Sequence, residues 1–359
     1  MSGLGFLLFL LVLHPLAADP QDAFSHFIGL TNFAGFAQSM NADGSDRWLS
    51  PELTNATPWN ELIVSWNAEA PAGTWLQVEA RAIYAGRHTK FYSMGRWTHD
   101  NVPFPRASVP GQRDADGDVQ VDTLVLKQPT TNVQVCLTLG GTNGLRPRLK
   151  FLGVALCNTK VTPVVRPSNR AAWGRDLATP ERSQQSYPGG SGWCSPTSLS
   201  MVLARWGVIT GRREWQLDAP ETAAGVYDHG FFHATGNWPF NTAFAGSLPG
   251  MRAYVTRFSD ISELEDWIAA GIPVIISARY DLLQDGRLPD LNGHLTVCRG
   301  FTETGDLVIN DPWTDPKVER IRHIYKRANV VRAWATSHNT VYLVFPENTR
   351  LPIDLLGHW

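Results

Sequence analysis

Trp193-Cys194-Ser195-Pro196-Thr197-Ser198-Leu199-Ser200-Met201-Val202-Leu203-Ala204-Arg205-Trp206-Gly207 is the stretch around which the 359-residue chain is organised. Leu199, Val202, Leu203 and Trp206 recur at i, i+3, i+4 and i+7, the apolar face of a short helix. Ser195 fits the N-cap, Pro196 the first turn and Gly207 the stop. Cys194 then stands at the helix mouth, where unpaired backbone N–H groups and the macrodipole stabilise a thiolate. A buried helix needs no cysteine at its entrance; a nucleophile does.

Working outward, the composition is that of a globular chain, 43% hydrophobic and 18% charged, long enough for two domains or one large one. A net charge of -2 and the lack of a basic run argue against nucleic acid as a partner. The 14 tryptophans suit an all-β core or the wall of a binding groove equally well. At the N-terminus, the apolar run Leu4 to Leu13, the break at His14-Pro15 and the small residues of Leu16-Ala17-Ala18 predict a cleaved signal peptide over 1–18. The n-region carries no Lys or Arg. The run is shorter than the roughly 20 residues of a spanning helix, so the expected protein is secreted or periplasmic, in either case extracytoplasmic, with no membrane span in the mature chain. In that setting Cys136 and Cys157 form either a disulfide or two small buried thiols, and Cys298 reads as core.

Residues 23–165 read as an all-β sandwich or jelly-roll accessory domain. Its strand-like runs are Glu61–Trp66, Trp75–Ile83, Val119–Leu126, Asn132–Leu139 and Arg148–Leu156, punctuated by turns such as Pro71-Ala72-Gly73. Such a domain binds a carbohydrate or protein ligand or supports its neighbour. Asp114-Ala115-Asp116-Gly117-Asp118 is read as a solvated turn, because its glycine comes too early for a calcium loop and no bidentate Glu follows. Residues 166–178 read as a linker, and 179–359 turn to mixed α and β. There Asp218–Pro249 looks loop-rich, and a helix is expected over Ser259–Ala270 with Ser262 and Glu265 at capping-box spacing. Ile272–Ser277 reads as a strand buried on both sides.

Gly293-His294-Leu295-Thr296-Val297-Cys298 begins a strand that opens on His294, turns at Glu303-Thr304-Gly305-Asp306 and returns through Leu307–Trp313. In that hairpin His294 and Asp311 lie near the open end on neighbouring strands. A thiolate nucleophile needs a base, and the base an orienting group; Cys194, His294 and Asp311 supply the three.

These segments resemble the peptidase C39-like family of papain-like cysteine peptidases. The resemblance rests on Ser183-Gln184-Gln185 and Tyr187-Pro188 ahead of the Cys194 helix, on Gly293-His294, on Asn310-Asp311-Pro312, and on a tail with Tyr325-Lys326-Arg327-Ala328 and Val341-Tyr342-Leu343-Val344. It covers about 180–346 and implies an α+β fold: a papain-like catalytic domain behind the β domain. It further implies Cys194 as nucleophile, His294 as general base and acid, and Asp311 as orienter, with Asn310 the competing orienter. An upstream glutamine would donate to the oxyanion; Gln184 is favoured over Gln185, with Pro188-Gly189-Gly190 and Gly192 forming a bulging loop between it and Cys194. Trp313 shields the His–Asp bond or is plain core. The expected reaction is hydrolysis of a peptide or protein substrate through an acyl-enzyme, without a cofactor or metal. His229 and His233, four apart, lack the Glu of a His-Glu-x-x-His zinc motif, and Gly225 and Gly230 disfavour a helix there. Alternatives are a non-catalytic binding module and an acyl transferase. The loops around Trp238 and over Arg279–Asp290 are expected to wall the substrate groove.

Overall fold

The computed structural model describes residues 24–284 and 293–359. The signal-peptide reading and the 285–290 part of the expected groove wall lie outside the described residues. Sixteen strands and six α-helices are described: β1 (Ser25–Leu30), β2 (Ala37–Met40), β3 (Asp46–Leu49), β4 (Leu53–Glu69), β5 (Thr74–Tyr84), β6 (Arg87–His88), β7 (Tyr92–Trp97), β8 (Gly117–Gln120), β9 (Thr123–Gly141), β10 (Arg148–Cys157), α1 (Cys194–Thr210), α2 (Ala219–Val226), α3 (Trp238–Ser247), β11 (Met251–Arg257), α4 (Ile261–Ala269), β12 (Val274–Ala278), α5 (Tyr280–Leu283), β13 (His294–Phe301), β14 (Leu307–Asn310), β15 (Arg322–Tyr325), α6 (Arg327–Ala335) and β16 (Thr340–Pro346). The fold is mixed α and β, with two large antiparallel sheets and few helices.

The first sheet joins all ten N-terminal strands into one hydrogen-bonded unit, where the sequence reading expected the two layers of a sandwich or jelly roll. The join comes from length: β9 runs 19 residues and pairs with β3, β4, β5 and β8 along its course. The expected strand Val119–Leu126 is a hairpin, with β8 turning into β9 through Val121-Asp122. Val121 sits at φ 61, a conformation costly for a β-branched side chain and hence no turn signal in sequence. Cys136 and Cys157 are buried and free; Cys298 is likewise buried and free, and Cys194 is free and half-buried.

The second sheet has the order β11-β16-β12-β13-β14-β15, and α1 lies on it, with Ser198 Oγ donating to Leu295 O (2.9 Å) and Trp206 Nε1 to Val344 O (2.9 Å). α1 differs from expectation at both ends. It starts at Cys194 with Trp193 as N-cap, and it passes through Gly207 to end at Gly211, in the left-handed region at φ 73. Ser195 is not a cap; its hydroxyl is buried 3.0 Å from Tyr342 Oη. The span Asp218–Pro249 carries two helices rather than loop. Asp218 and Glu221 form a capping box for α2, and Asn237 caps α3. Asp260, not Ser262, caps α4, its carboxylate accepting from Ser262 N at 2.9 Å.

The two sheets share one hydrophobic core. Phe240 of α3 enters the first sheet between Trp66 and Trp97, ring centroids 6.1 and 6.0 Å away. Strand β11 is sealed by side chains of β4: Asn67 Nδ2 donates to Ala253 O (2.6 Å), Asn67 Oδ1 accepts from Ala253 N (3.1 Å), and Ser65 Oγ accepts from Val255 N (2.9 Å). Buried Arg106 donates to the carbonyls of Thr98, His99, Ala224 and Tyr227, tying both halves together. Residues 166–178 are strapped onto α4, with Arg166 N donating to Asp260 (2.7 Å) and Asn169 N to Glu265 (2.7 Å). Among the described residues no helix is long and apolar enough to cross a membrane.

Candidate active site

The packing of α1 on the second sheet sets Cys194 against the start of β13, where His294 is the first residue. The β13–β14 hairpin pairs Val297 with Asn310 and bulges at Arg299, and this register carries Asp311 back beside His294. His294 Nε2 lies 2.7 Å from Asp311 Oδ1, which leaves Nδ1 as the second ring nitrogen, and His294 lines the same pocket as Cys194. The structure therefore brings the three predicted residues together.

Their electrostatics are coupled. Burial alone would depress the His294 pKa, but the Asp311 carboxylate and the Cys194 sulfur outweigh it and push it up to about 10. Burial works against ionisation of Cys194 as well. The hydrogen bond and charge of the His294 ring, helped by the Leu295 and Ser195 backbone N–H groups, bring the thiol below its usual value. Asp311 is fully buried, yet the His294 ring holds its carboxyl below the usual range, aided by Tyr325 and Trp313 N. Its Oδ1 accepts from Trp313 N (3.0 Å) and its Oδ2 from Tyr325 Oη (2.6 Å).

Gln184 lies in a short 3-10 turn, its backbone N donating to Pro312 O (2.8 Å) and so tied to the residue after Asp311. Its side chain is buried and donates through Nε2 to Gly190 O at 3.1 Å, while Oε1 has no partner among the described residues. A second Nε2 hydrogen remains to be donated. The loop closes tightly over it: a Cβ on Gly190 would lie 2.0 Å from Gln184 O. Gln184, Cys194 and His294 line one pocket of about 220 Å³ with Ser191, Gly192, Tyr280, Gly293 and Trp313.

The competing assignments separate in space. Gln185 is exposed and donates to Trp313 O (3.2 Å) without lining the pocket. Asn310 turns to the other side of β14, where its Oδ1 accepts from Arg299 (3.1 Å) and its Nδ2 donates to Pro180 O (3.1 Å). Trp313 lines the pocket beside Tyr280. Trp238 and its loop do not; they border a different cleft. His229 stacks edge-on against Tyr227, and among the described residues no group of three or more His, Cys, Asp or Glu could hold a metal ion.

The expected groove wall over Arg279–Asp290 supplies Tyr280 to the pocket, but three residues of the site were not singled out in the sequence. Tyr280 meets the His294 ring edge-on at 4.9 Å, Tyr325 holds Asp311, and Gln284 donates to Tyr325 Oη at 2.9 Å. Tyr325 figured in sequence only as part of a tail motif, and nothing in its neighbours singles it out.

No curated protein matches the chain. A solved structure from Bacillus anthracis, described as a C39-like peptidase, aligns at 18% identity and a TM-score of 0.35, covering 48% of this chain and 96% of its own. The family models divide the chain as its sheets do. Residues 177–342 match the Peptidase_C39 like family, and residues 38–157 ahead of them match the Peptidase C39 N-terminal domain.

Proposed function

We propose that this chain is an exported cysteine peptidase of papain-like design, hydrolysing peptide bonds through Cys194, His294 and Asp311. The observation that carries the reading is His294, paired at 2.7 Å with buried Asp311 and lining one pocket with Cys194 and Gln184, its ring favouring ionisation of the thiol. A nucleophile-bearing helix mouth laid against an antiparallel sheet that carries base and acid supports the papain-like assignment.

The reaction follows from these positions. Cys194 Sγ bonds to the carbonyl carbon of the peptide, and the oxyanion accepts from Gln184 Nε2 and the Cys194 backbone N–H; losing one such donor costs about 3 kcal/mol in the transition state. As the C–N bond breaks, the His294 imidazolium gives its proton to the leaving amine. The neutral ring then takes a proton from water, and the hydroxide cleaves the thioester, releasing the carboxylic acid and the thiol. Asp311 holds the ring and balances its positive charge throughout.

Iodoacetamide labelling against pH tests the pair directly. Labelling of Cys194 should persist well below pH 8 and revert in His294→Ala to an ordinary thiol profile near 8.5. A wild-type profile indifferent to His294 overturns the mechanism. With labelling as expected, Cys194→Ala should abolish peptide hydrolysis. Export is supported by the Leu4–Leu13 run and the small residues after it, and N-terminal sequencing of protein from the extracytoplasmic fraction should begin at Asp19.

A further inference from the structure

Trp238, expected from sequence to wall the substrate groove, borders a second cleft of about 320 Å³ formed between the two sheets. Trp238 and Phe232 line it together with Glu61, Asp122 and Arg257. Glu61 is only 9% exposed, and both of its basic neighbours sit on one oxygen: Oε2 is 2.6 Å from Arg257 Nη1 and 3.3 Å from His338 Nδ1. Oε1 is left without a hydrogen-bond partner among the described residues. Asp122, 5% exposed, accepts from neutral groups, Trp238 N at 2.7 Å and Thr123 Oγ1 at 3.2 Å. Burial outweighs these donors and pushes its carboxyl up to about 7. Arg257 is engaged with Glu61, with Thr340 Oγ1 at 3.3 Å and with Cys157. An incoming cation would therefore meet the Glu61 carboxylate, shared with Arg257 and His338, and an Asp122 acid that ionises near neutrality, beside two aromatic rings. A cation held near a carboxylate and an aromatic face gains from both.

The cleft adjoins the catalytic pocket. Thr235 Oγ1 donates to Gly192 O (3.0 Å), joining the Trp238 loop to the loop over Cys194.

We propose that this inter-sheet cleft binds a basic side chain, lysine or arginine, of the polypeptide acted on at Cys194. The proposal rests on the peptidase reading for the origin of its ligand, while binding itself needs no turnover. It gives the N-terminal half a role in substrate selection, since Glu61, Asp122 and the Val121 turn all come from it.

The test is isothermal titration of the full chain carrying Cys194→Ala with two short peptides that differ only in lysine against norleucine. The lysine peptide should bind at least tenfold more tightly. The preference should fall to within twofold in Trp238→Leu and in Glu61→Gln, each checked for an unchanged melting profile. Equal binding of the two peptides, no binding of either, or a preference that survives both substitutions overturns the proposal. So does displacement of the lysine peptide by a neutral oligosaccharide, which would assign the aromatic wall to sugar. Lysine-selective binding together with a wild-type chain that cleaves neither peptide would leave the cleft standing and remove the peptidase reading.

Discussion

Asp311 has both oxygens committed, one to His294 and Trp313 N, the other to Tyr325. Among the described residues Tyr325 is the one side chain on Oδ2, and the Gln284 amide donates to its oxygen, so the phenol proton points to the carboxylate. Tyr325→Phe removes a hydrogen bond to a buried charge, about 2 kcal/mol, and frees the carboxylate to rotate. The expected result is a 10–100-fold loss in kcat with KM little changed, of the kind seen when a supporting partner of an essential group is removed, and steady-state kinetics on one peptide separates the two constants. The pH dependence follows from the same contacts. His294 is raised, so its share of pair stability is full below about 6.5 and is lost as pH climbs through about 10. Cys194 is lowered, so its share is full above its unfolded value and is lost as pH falls through the folded one. The ion pair occupies the window between, and kcat/KM should keep its plateau past pH 8 and fall near 10 rather than near 6.5. The placement of Cys194, His294 and Asp311 in one region was readable because a helix mouth and a tight hairpin are local patterns. Tyr280, Tyr325 and Gln284 were not, because α5 and β15 bring them in from other parts of the chain and a tyrosine in sequence looks like any core aromatic.

At the scale of the elements, Gly207 misled the sequence reading, which took it for the stop of α1. Gly207, Gly225 and Gly246 all sit inside helices, and each is there because a neighbour leaves no room for a Cβ: Gln216 at 2.6 Å, Phe244 at 2.2 Å and the Asn67 amide at 2.1 Å. A terminator and a contact point have the same letter. The two effects have opposite signs, which makes Gly246→Ala informative. In a free helix the change would stabilise by about 1 kcal/mol, but here it drives a methyl into Asn67, the residue that seals β11. A net destabilisation of about 1–3 kcal/mol is expected, read as a lower urea midpoint. The expected helix face of α1 and the buried strand β12 were legible, since 3.6-residue periodicity and an unbroken apolar run survive any context. The joining of the ten N-terminal strands into one hydrogen-bonded sheet was not, because the continuity of β9 past Thr130 depends on partners rather than on its own residues.

For the whole molecule, the join between the sheets is polar as well as apolar. Asn67 pairs with both backbone groups of Ala253, as a neighbouring strand would. Asn67→Leu leaves that donor and acceptor buried and unpaired, at about 1–3 kcal/mol for each group. Calorimetry should show one transition for the wild type, because the core is continuous, and one transition at lower temperature for the variant. Splitting into two peaks would mean that the sheets fold independently. The sequence reading separated the chain at 166–178, and the change in composition there is real, but side chains that reach across 94 to 190 residues of chain leave no local trace.

The four free thiols have a practical consequence. Burial raises Cys136 and Cys157 to about 11 and Cys298 to about 12, whereas Cys194 is lowered. No cross-link among them supports the framework, so its assembly requires no oxidant, and a reductant added to protect Cys194 leaves the scaffold intact. At neutral pH an alkylating reagent meets one sulfur with a lowered pKa per folded chain, that of Cys194. The stoichiometry of its uptake therefore counts folded molecules, and any preparation can be calibrated before a substrate is known.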